Sequence, residues 1–459
     1  MNAQELQKIK YKKMVEEPVE KLVIKMAIPT IISMLITSFY NIADTFFVSL
    51  INSSATAAVG VIFSLMSMFQ AIGFCFGHGS GNYISRKLGA KENEAAIKMA
   101  STGFFSAFFI GVIITIIGIM FLDPLAKVLG ATDSILPYAK NYMGIILIGA
   151  PFMISSFVLN NQLRLQGNAS YAMIGIATGA VLNVILDPIL IFKLNMGIKG
   201  AALATVISQI ISFSLLIKLC DYGGTIPIRF KNFEPNLNKY KEILHGGVPS
   251  LCRQGITSFA TIFLNIGAGL YGDGAVAAMS VVMRITTFAS SALIGFGQGF
   301  QPVCGFNYGA KNYKRVENAF WFCVKVSTIV LSILGVLGII FAPSIVSLFT
   351  KDDSSLIEIG VTALRMHCIA FPFLGWIILC NMLLQNIGKY VKASILAMAR
   401  QGLCFIPMII ILPRIFGVTG IQISQLIADL LTFIIALPMG MSTLKEFKLM
   451  SKKDDKNLI

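Results

Sequence analysis

The chain is predicted to be an all-α polytopic membrane protein, with twelve transmembrane helices arranged as two pseudo-symmetric six-helix bundles. Three observations carry that prediction. The composition is not that of a soluble globular chain, since 56% of 459 residues are hydrophobic and 13% charged, with a mean hydropathy of +0.77. The apolar residues fall in runs of the roughly 20 residues that cross a hydrocarbon core. The chain also repeats its own punctuation at a nearly constant spacing, so one half is a copy of the other.

Taken in order, the apolar runs place spans at 23–50, 55–86, 99–122, 136–163, 170–192 and 199–220 in the first half. The second half has spans at 243–270, 275–305, 318–341, 356–386, 391–413 and 418–442. An even number puts both termini on one side. Lys and Arg are retained in the cytoplasm during insertion, and one set of loops is basic. That set comprises the N-terminal tail (Lys8, Lys10, Lys12, Lys13, Lys21), Arg86-Lys87 with Lys91, and the central linker (Arg229, Lys231, Lys239, Lys241). It continues with Lys311, Lys314 and Arg315, then Lys389 and Lys392, then the C-terminal tail from Lys445. The opposite loops, such as Asn52-Ser-Ser-Ala-Thr56 and Tyr271-Gly-Asp-Gly274, are poor in cations. The chain is therefore expected to be multi-pass in a membrane with both termini cytoplasmic.

The repeat gives the domain plan. Ala27-Ile-Pro29 matches Gly247-Val-Pro249, Gly77-His-Gly79 matches Gly297-Gln-Gly299, and Gly89-Ala-Lys91 matches Gly309-Ala-Lys311, all at one and the same offset. Gly197-Ile-Lys-Gly200 matches Gly417-Val-Thr-Gly420 at that offset too, and Pro151, Asn160 and Gly167 match Pro372, Asn381 and Gly388 with a slip of a single position. The boundaries that follow are an N-terminal tail at 1–22, an N-terminal lobe at 23–220, a linker at 221–242, a C-terminal lobe at 243–442 and a tail at 443–459. Halves with an even number of spans are related by an axis along the membrane normal, an arrangement suited to a transporter with its cavity between two lobes. The linker is polar and carries Gly223, Gly224, Pro227 and Pro235, as a flexible crossover would.

The acids break the symmetry. Asp187 lies in the apolar stretch Gly179-Ala-Val-Leu-Asn183-Val-Ile-Leu-Asp187-Pro188, with Asn183 one turn earlier on the same helical face. An ionised group at bilayer depth costs at least about 2.5–3.5 kcal/mol, so such an acid is by default functional and faces a bundle interior or cavity. Pro188 removes a helix donor and frees a backbone carbonyl nearby. At the offset of the repeat, Asp44, Asp187 and Thr205 correspond to Leu264, Pro407 and Gln425. The scaffold is duplicated and the acidic site is not. Two carboxylates in one low-dielectric lobe repel when both are ionised, so the pair can take up a proton. With Asn183, Asn160, Thr205 and a freed carbonyl they also form an oxygen-only shell for a hard cation, so proton and sodium both remain open.

This plan, with Asn41-Ile-Ala-Asp44-Thr45, Asn183 to Asp187-Pro188, Gly200-Ala-Ala-Leu-Ala-Thr205 and Gly89-Ala-Lys91 in their respective places, resembles the multidrug and toxic compound extrusion (MATE) family over nearly the whole chain. Within it the chain looks most like the bacterial MepA-like and DinF-like branch. The resemblance implies a V-shaped pair of six-helix bundles that exports lipophilic, mostly cationic organic compounds in exchange for H+ or Na+ by alternating access, as a functional monomer. It implies an ion-coupling set of Asp44, Asp187, Asn183 and Thr205, with Asn160 or Asn161 and Tyr142 (or Tyr138) from the fourth span. Sodium would sit at Asp44, Asn183, Asp187 and Thr205. The expected substrate walls are Asn41, Phe39, Tyr40, Phe46, Phe69, Arg284, Phe288 and Phe296. Some family members carry acids in the seventh and tenth spans; here the seventh offers Arg253, Gln254 and Asn265 instead.

Other classes fit less well. The net charge of +15 lines one membrane face, where anionic lipid accounts for it, so nucleic acid is not an expected partner. Partners are small organic molecules and the bilayer, and no cofactor is expected beyond the coupling ion. A metal-diphosphate enzyme needs paired acidic clusters, and before the C-terminal tail the one adjacent Asp pair, Asp352-Asp353, falls in an outer loop. The eight cysteines are dispersed and read as small hydrophobes. His78, His367 and Asp429 read as hydrogen-bonding or packing residues. A lipid or lipid-linked-sugar flippase is the alternative, supported by Arg253, Arg284, Lys325 and Arg400 in the second half, which also leave anionic or zwitterionic substrates open.

Overall fold

The structure is a computed structural model that describes residues 3–222, 225–349 and 354–456. Gly223 and Gly224 of the linker and the Asp352-Asp353 pair lie outside the described residues. The chain begins with α1 (Ala3–Glu16), and Pro18, which cannot continue a helix, separates it from α2 (Val19–Ser49). The first half continues with α3 (Ser53–Gly89), α4 (Asn93–Met120), α5 (Leu122–Val128) and α6 (Leu136–Leu165). Then come α7 (Ala169–Pro188), which runs on as a π-helical turn at Ile189–Lys193, and α8 (Ile198–Leu219).

The second half repeats the order with α9 (Leu237–Gly269), α10 (Asp273–Gly309), α11 (Tyr313–Ile340), α12 (Ala342–Ser347) and α13 (Ser354–Asn386). It closes with α14 (Tyr390–Met398), a π segment at Ala399–Phe405, α15 (Ile406–Phe416) and α16 (Val418–Lys456). The helices run past the apolar runs on the basic side, as where α9 starts at Leu237 and not at 243. Hydropathy marks only the part of a helix that lies in lipid. The short α5 and α12, absent from the expectation, start at corresponding positions of the two halves, Leu122 and Ala342, and belong to the repeat.

Among the described residues eleven helices are long and apolar enough to span a membrane. The predicted seventh span lies within α9, whose 33 residues suffice in length while Arg253, Gln254, Thr257, Thr261 and Asn265 lower its hydropathy. Those polar residues have somewhere to go. Gln254 donates to Gln70 of α3 at 3.4 Å, and Arg253 donates to Asn381 of α13 at 3.4 Å.

Two hydrophobic cores form. One joins α3, α4, α6, α7 and α8 through residues such as Ile62, Phe69, Ile146, Leu159 and Leu216. The other joins α9, α10, α11, α13 and α16 through Phe300, Phe320, Leu383 and Ala428. The first turns of α2, at Val19, Leu22, Val23 and Met26, belong to the second core, whereas Val48 near its end belongs to the first. Helix α2 therefore crosses from one lobe to the other.

The duplicated glycines explain the lobe contact. A Cβ on Gly89 would lie 2.1 Å from the Phe306 carbonyl oxygen, and one on Gly309 would lie 1.9 Å from that of Arg86. Those two contacts are copies of each other under the internal repeat. Gly79 meets Ile243 O at 2.0 Å and Gly299 meets Ala27 Cα at 2.4 Å in the same sense. Backbone touches backbone along α3–α9, α2–α10 and α3–α10, and all these contacts fall in the half of the molecule that bears the basic loops. That half is sealed.

Candidate functional site

In the outer half of α2 the 3.6-residue repeat sorts side chains onto three faces. Ile24, Ile28, Ile32, Phe39, Ile42 and Phe46 form one exposed apolar stripe running the length of the helix. Asn41 and Thr45 are exposed on a second, polar face, on the side where Ser38 donates to Ser291 of α10 at 3.3 Å. The third face carries Asp44 into the N-terminal lobe, 8% exposed.

There Asp44 meets Asp187 of α7, which is fully buried, together with Asn183, Thr205 and Tyr142 at 1% exposure or less. The Asn183 amide, oriented with its nitrogen toward the acid, donates to Asp187 Oδ2 at 3.1 Å. Its oxygen then accepts from the Thr205 backbone N–H at 3.2 Å. The hydroxyls of Tyr142 and Tyr40 lie within electrostatic reach of both carboxylates. Among the described residues no Lys, Arg or His pairs with either acid. Among the described residues Asp44 Oδ1 and the Tyr142 hydroxyl have no hydrogen-bond partner, although both are buried.

Unsatisfied buried oxygens are costly, of the order of 1–3 kcal/mol each. A proton on a carboxylate, or a small cation among these oxygens, relieves that cost. The donor set is carboxylate, hydroxyl and phenol, which fits either ion. The π-helical turn begins directly after Pro188, and such turns concentrate at functional positions in helices.

The family model MatE matches the chain twice, at residues 29–189 and 249–411, once in each half. The chain belongs to the MatE family. It is 29% identical to the multidrug export protein MepA of Staphylococcus haemolyticus, over 92% of this chain and 93% of that one. To the MepA of Staphylococcus aureus strain MRSA252 it is 28% identical with the same coverage. A solved MATE in the bent conformation superposes with a TM-score of 0.90 at 27% identity, over 96% of this chain and 99% of the other. An outward-facing multidrug resistance MATE transporter of the MOP superfamily superposes at 0.89 and 27%, over 95% and 98%.

In this MatE-family protein several expected site residues sit elsewhere. The Asn160 amide donates to Ala172 O at 2.9 Å, tying α6 to α7, and its copy Asn381 donates to Ala393 O at 2.7 Å in the second lobe. A duplicated tie is scaffold. Asn161 accepts from Arg164 at 2.6 Å and is held there, away from the acids. Tyr138 accepts a bond from Asn52 at 3.4 Å near the helix start, so of the two tyrosines Tyr142 is the one beside the acids.

The aromatic expectations divide similarly. Phe69 is fully buried in the first core and cannot touch a substrate. Phe296 packs on the second core. Phe39 meets Phe288 edge-on at 5.9 Å, joining α2 to α10, and with Phe46 it belongs to the exposed apolar stripe of α2. Of the expected wall, Asn41 keeps an exposed polar position, Tyr40 joins the acids, and Arg284 is exposed outside the cavity of the second lobe.

Sequence reasoning missed the group that closes the seam. Arg164 of α6, 1% exposed, donates to Gln298 O at 2.9 Å and to Gln301 Oε1 at 2.7 Å on α10. Its other nitrogen lies 3.2 Å from His78 Nε2, and His78 Nδ1 lies 3.3 Å from Ser250 of α9. The signal available was a lone Arg one turn past an Asn-Asn pair at the end of a span.

Proposed function

We propose that this protein is a secondary active multidrug exporter that expels lipophilic, mostly cationic compounds in exchange for H+ or Na+ by alternating access, working as a monomer. One observation carries the reading: two buried carboxylates, present in one lobe only, surrounded by oxygen donors and paired with no cation. The relatives named as multidrug export proteins support the drug part of it. The sealed half bears the basic loops, so with both termini cytoplasmic the described state is closed to the cytoplasm and open outward.

The mechanism follows from α2. Its first turns form the seam with α10, where Thr30 donates to Gly295 O at 2.6 Å, and its outer half carries Asp44. An ion taken up between Asp44 and Asp187 removes their repulsion, draws the outer half of α2 toward α7 and narrows the space that a cationic substrate needs. Substrate leaves outward. The loaded lobes then part at the glycine seam, the ion dissociates to the cytoplasm, and the freed acids favour the next substrate. Exchange requires only that ion and substrate stabilise opposite states.

The test is ethidium efflux from cells carrying the protein, with a proton or a sodium gradient imposed in turn, wild type beside Asp44→Asn and Asp187→Asn. Efflux driven by one gradient and lost in both variants, with protein inserted at normal level, supports the reading and names the ion. Efflux that survives both substitutions removes the acids from coupling. A correctly inserted wild type that moves ethidium under neither gradient points to the flippase reading.

A further inference from the structure

A partly open cavity of about 330 Å³ lies in the second lobe between α9, α10, α13, the π segment after α14 and α16. Its charged wall residues are Arg253, Arg400, His367 and Asp429. Asp429 is already used. Its Oδ1 accepts from Arg400 Nε at 2.8 Å and from Gln425 at 3.0 Å, on a side chain 3% exposed. Arg253 faces the cavity with a single protein acceptor, Asn381 Oδ1 at 3.4 Å, and no carboxylate within ion-pair distance among the described residues. His367, 4% exposed, lines the cavity about four helical turns from Asn381 on α13, and among the described residues its Nε2 has no partner.

A guanidinium in a low-dielectric lobe with neither counter-charge nor full hydrogen bonding is expensive. It is also shaped to take an oxyanion bidentately. The charge does not stop at the cavity edge, since the field of Arg253 reaches the uncompensated Arg164 at the seam. The α13 side of the wall adds an apolar strip of Phe371, Leu374, Ile377 and Met382, while α9 and α10 add polar residues such as Thr257 and Ser290. Two wall residues also bond across to the first lobe, Ser291 to Ser38 and Gln254 to Gln70, so the cavity borders the space between the lobes.

We propose that this cavity is an anion subsite, in which the Arg253 guanidinium receives the oxyanion of an amphiphilic ligand whose apolar body lies against Phe371 and Leu374. The oxyanion is a carboxylate of an organic zwitterion or the phosphate of a lipid headgroup; the site chemistry is the same. The inference extends the exporter reading from cations to zwitterions, yet it concerns equilibrium binding and needs no gradient, so its failure and that of ion coupling are separable.

The test is fluorescence polarisation on the purified full-length protein in nanodiscs of phosphatidylcholine. The probes are rhodamine 110, which has a free carboxylate, and rhodamine 123, the methyl ester of the same dye. Arg253→Gln is expected to weaken rhodamine 110 about tenfold or more while changing rhodamine 123 less than about threefold, and Arg253→Lys to recover part of the loss. Equal losses for both dyes, or none for either, overturn the proposal. If Arg253→Gln does not insert, competition on the unaltered protein decides. Displacement of rhodamine 110 by benzoate but not benzamide supports a carboxylate source, and displacement by dihexanoyl phosphatidylglycerol but not dihexanoyl phosphatidylcholine supports a headgroup. Displacement by neither anion, or equally by the neutral partners, overturns it.

Discussion

The two lobes are copies in backbone and opposites in charge. In the first lobe's interior, Asp44 and Asp187 sit among oxygens and, among the described residues, pair with no cation; around the cavity of the second, Arg253 and Arg400 outnumber Asp429. Thr205 and Gln425, a symmetry pair, take part in both, the first with Asn183 and the second with Asp429. Both lobes also break the same helix with a π segment, at Ile189–Lys193 and Ala399–Phe405, but the second break comes earlier and contains Arg400 itself. Duplication supplies a frame whose ties, the seam glycines and the Asn160 and Asn381 amides, recur in both halves. The polar residues inside each frame were then free to diverge, and their divergence separates one chemistry from the other.

The sharpest way to break this comparison is to neutralise one acid in each lobe. Asp429→Ala leaves Arg400 buried beside an empty place, and removal of one partner of a buried pair typically costs about 3–5 kcal/mol. A clear fall in melting temperature of the detergent-solubilised protein is expected. Asp44→Asn removes a buried carboxylate that has no cationic partner, so the melting temperature should hold or rise while gradient-driven efflux falls at least about tenfold. Equal destabilisation by both changes would make the N-terminal acids structural.

The seam offers the next largest effect. Gly309→Ala places a methyl group against the Arg86 carbonyl and is expected to bias the protein toward the state open on the basic side. With Cys75, 2% exposed at that seam, as the sole cysteine, its maleimide labelling should speed several-fold relative to the parent. Unchanged labelling with normal stability would mean that the seam is not the closed gate.

Smaller and more equal effects are expected from the duplicated asparagines. Asn160→Ala and Asn381→Ala each remove the side-chain bond that ties a helical carbonyl to the neighbouring helix, for about 1 kcal/mol apiece in chemical denaturation. If Asn160→Ala alone uncouples efflux from the ion gradient, Asn160 belongs to the acid site after all. Phe46→Ala, on the exposed apolar stripe, should change efflux by less than about twofold, and a larger loss would place that ring in the substrate path.

Much of this was legible in the sequence for identifiable reasons. Asp187 and Asn183 announce themselves because an acid inside an apolar run has a cost that only function repays, and their one-turn spacing puts them on one face. The absence of acids at Leu264 and Pro407 assigns the site to one lobe. Asn160 was misplaced because its polarity suggested an ion ligand, whereas its repeat at Asn381 already marked it as scaffold. Phe69 and Phe296 could not be sorted from the cleft because a ring's rotation about its helix axis is set by neighbouring helices.

The sequence by itself determined the helical membrane fold, the two halves and the lobe that carries the carboxylates, since hydropathy and repeat spacing act along the chain. Only the tertiary structure decided that α2 serves both lobes, that repeat-related glycines such as Gly89 and Gly309 meet carbonyls of the opposite half, and that Arg253, His367, Arg400 and Asp429 line one cavity. Those residues come from four separate helical segments, and no local pattern encodes how helices turn toward one another. That rotation follows from close packing of whole surfaces.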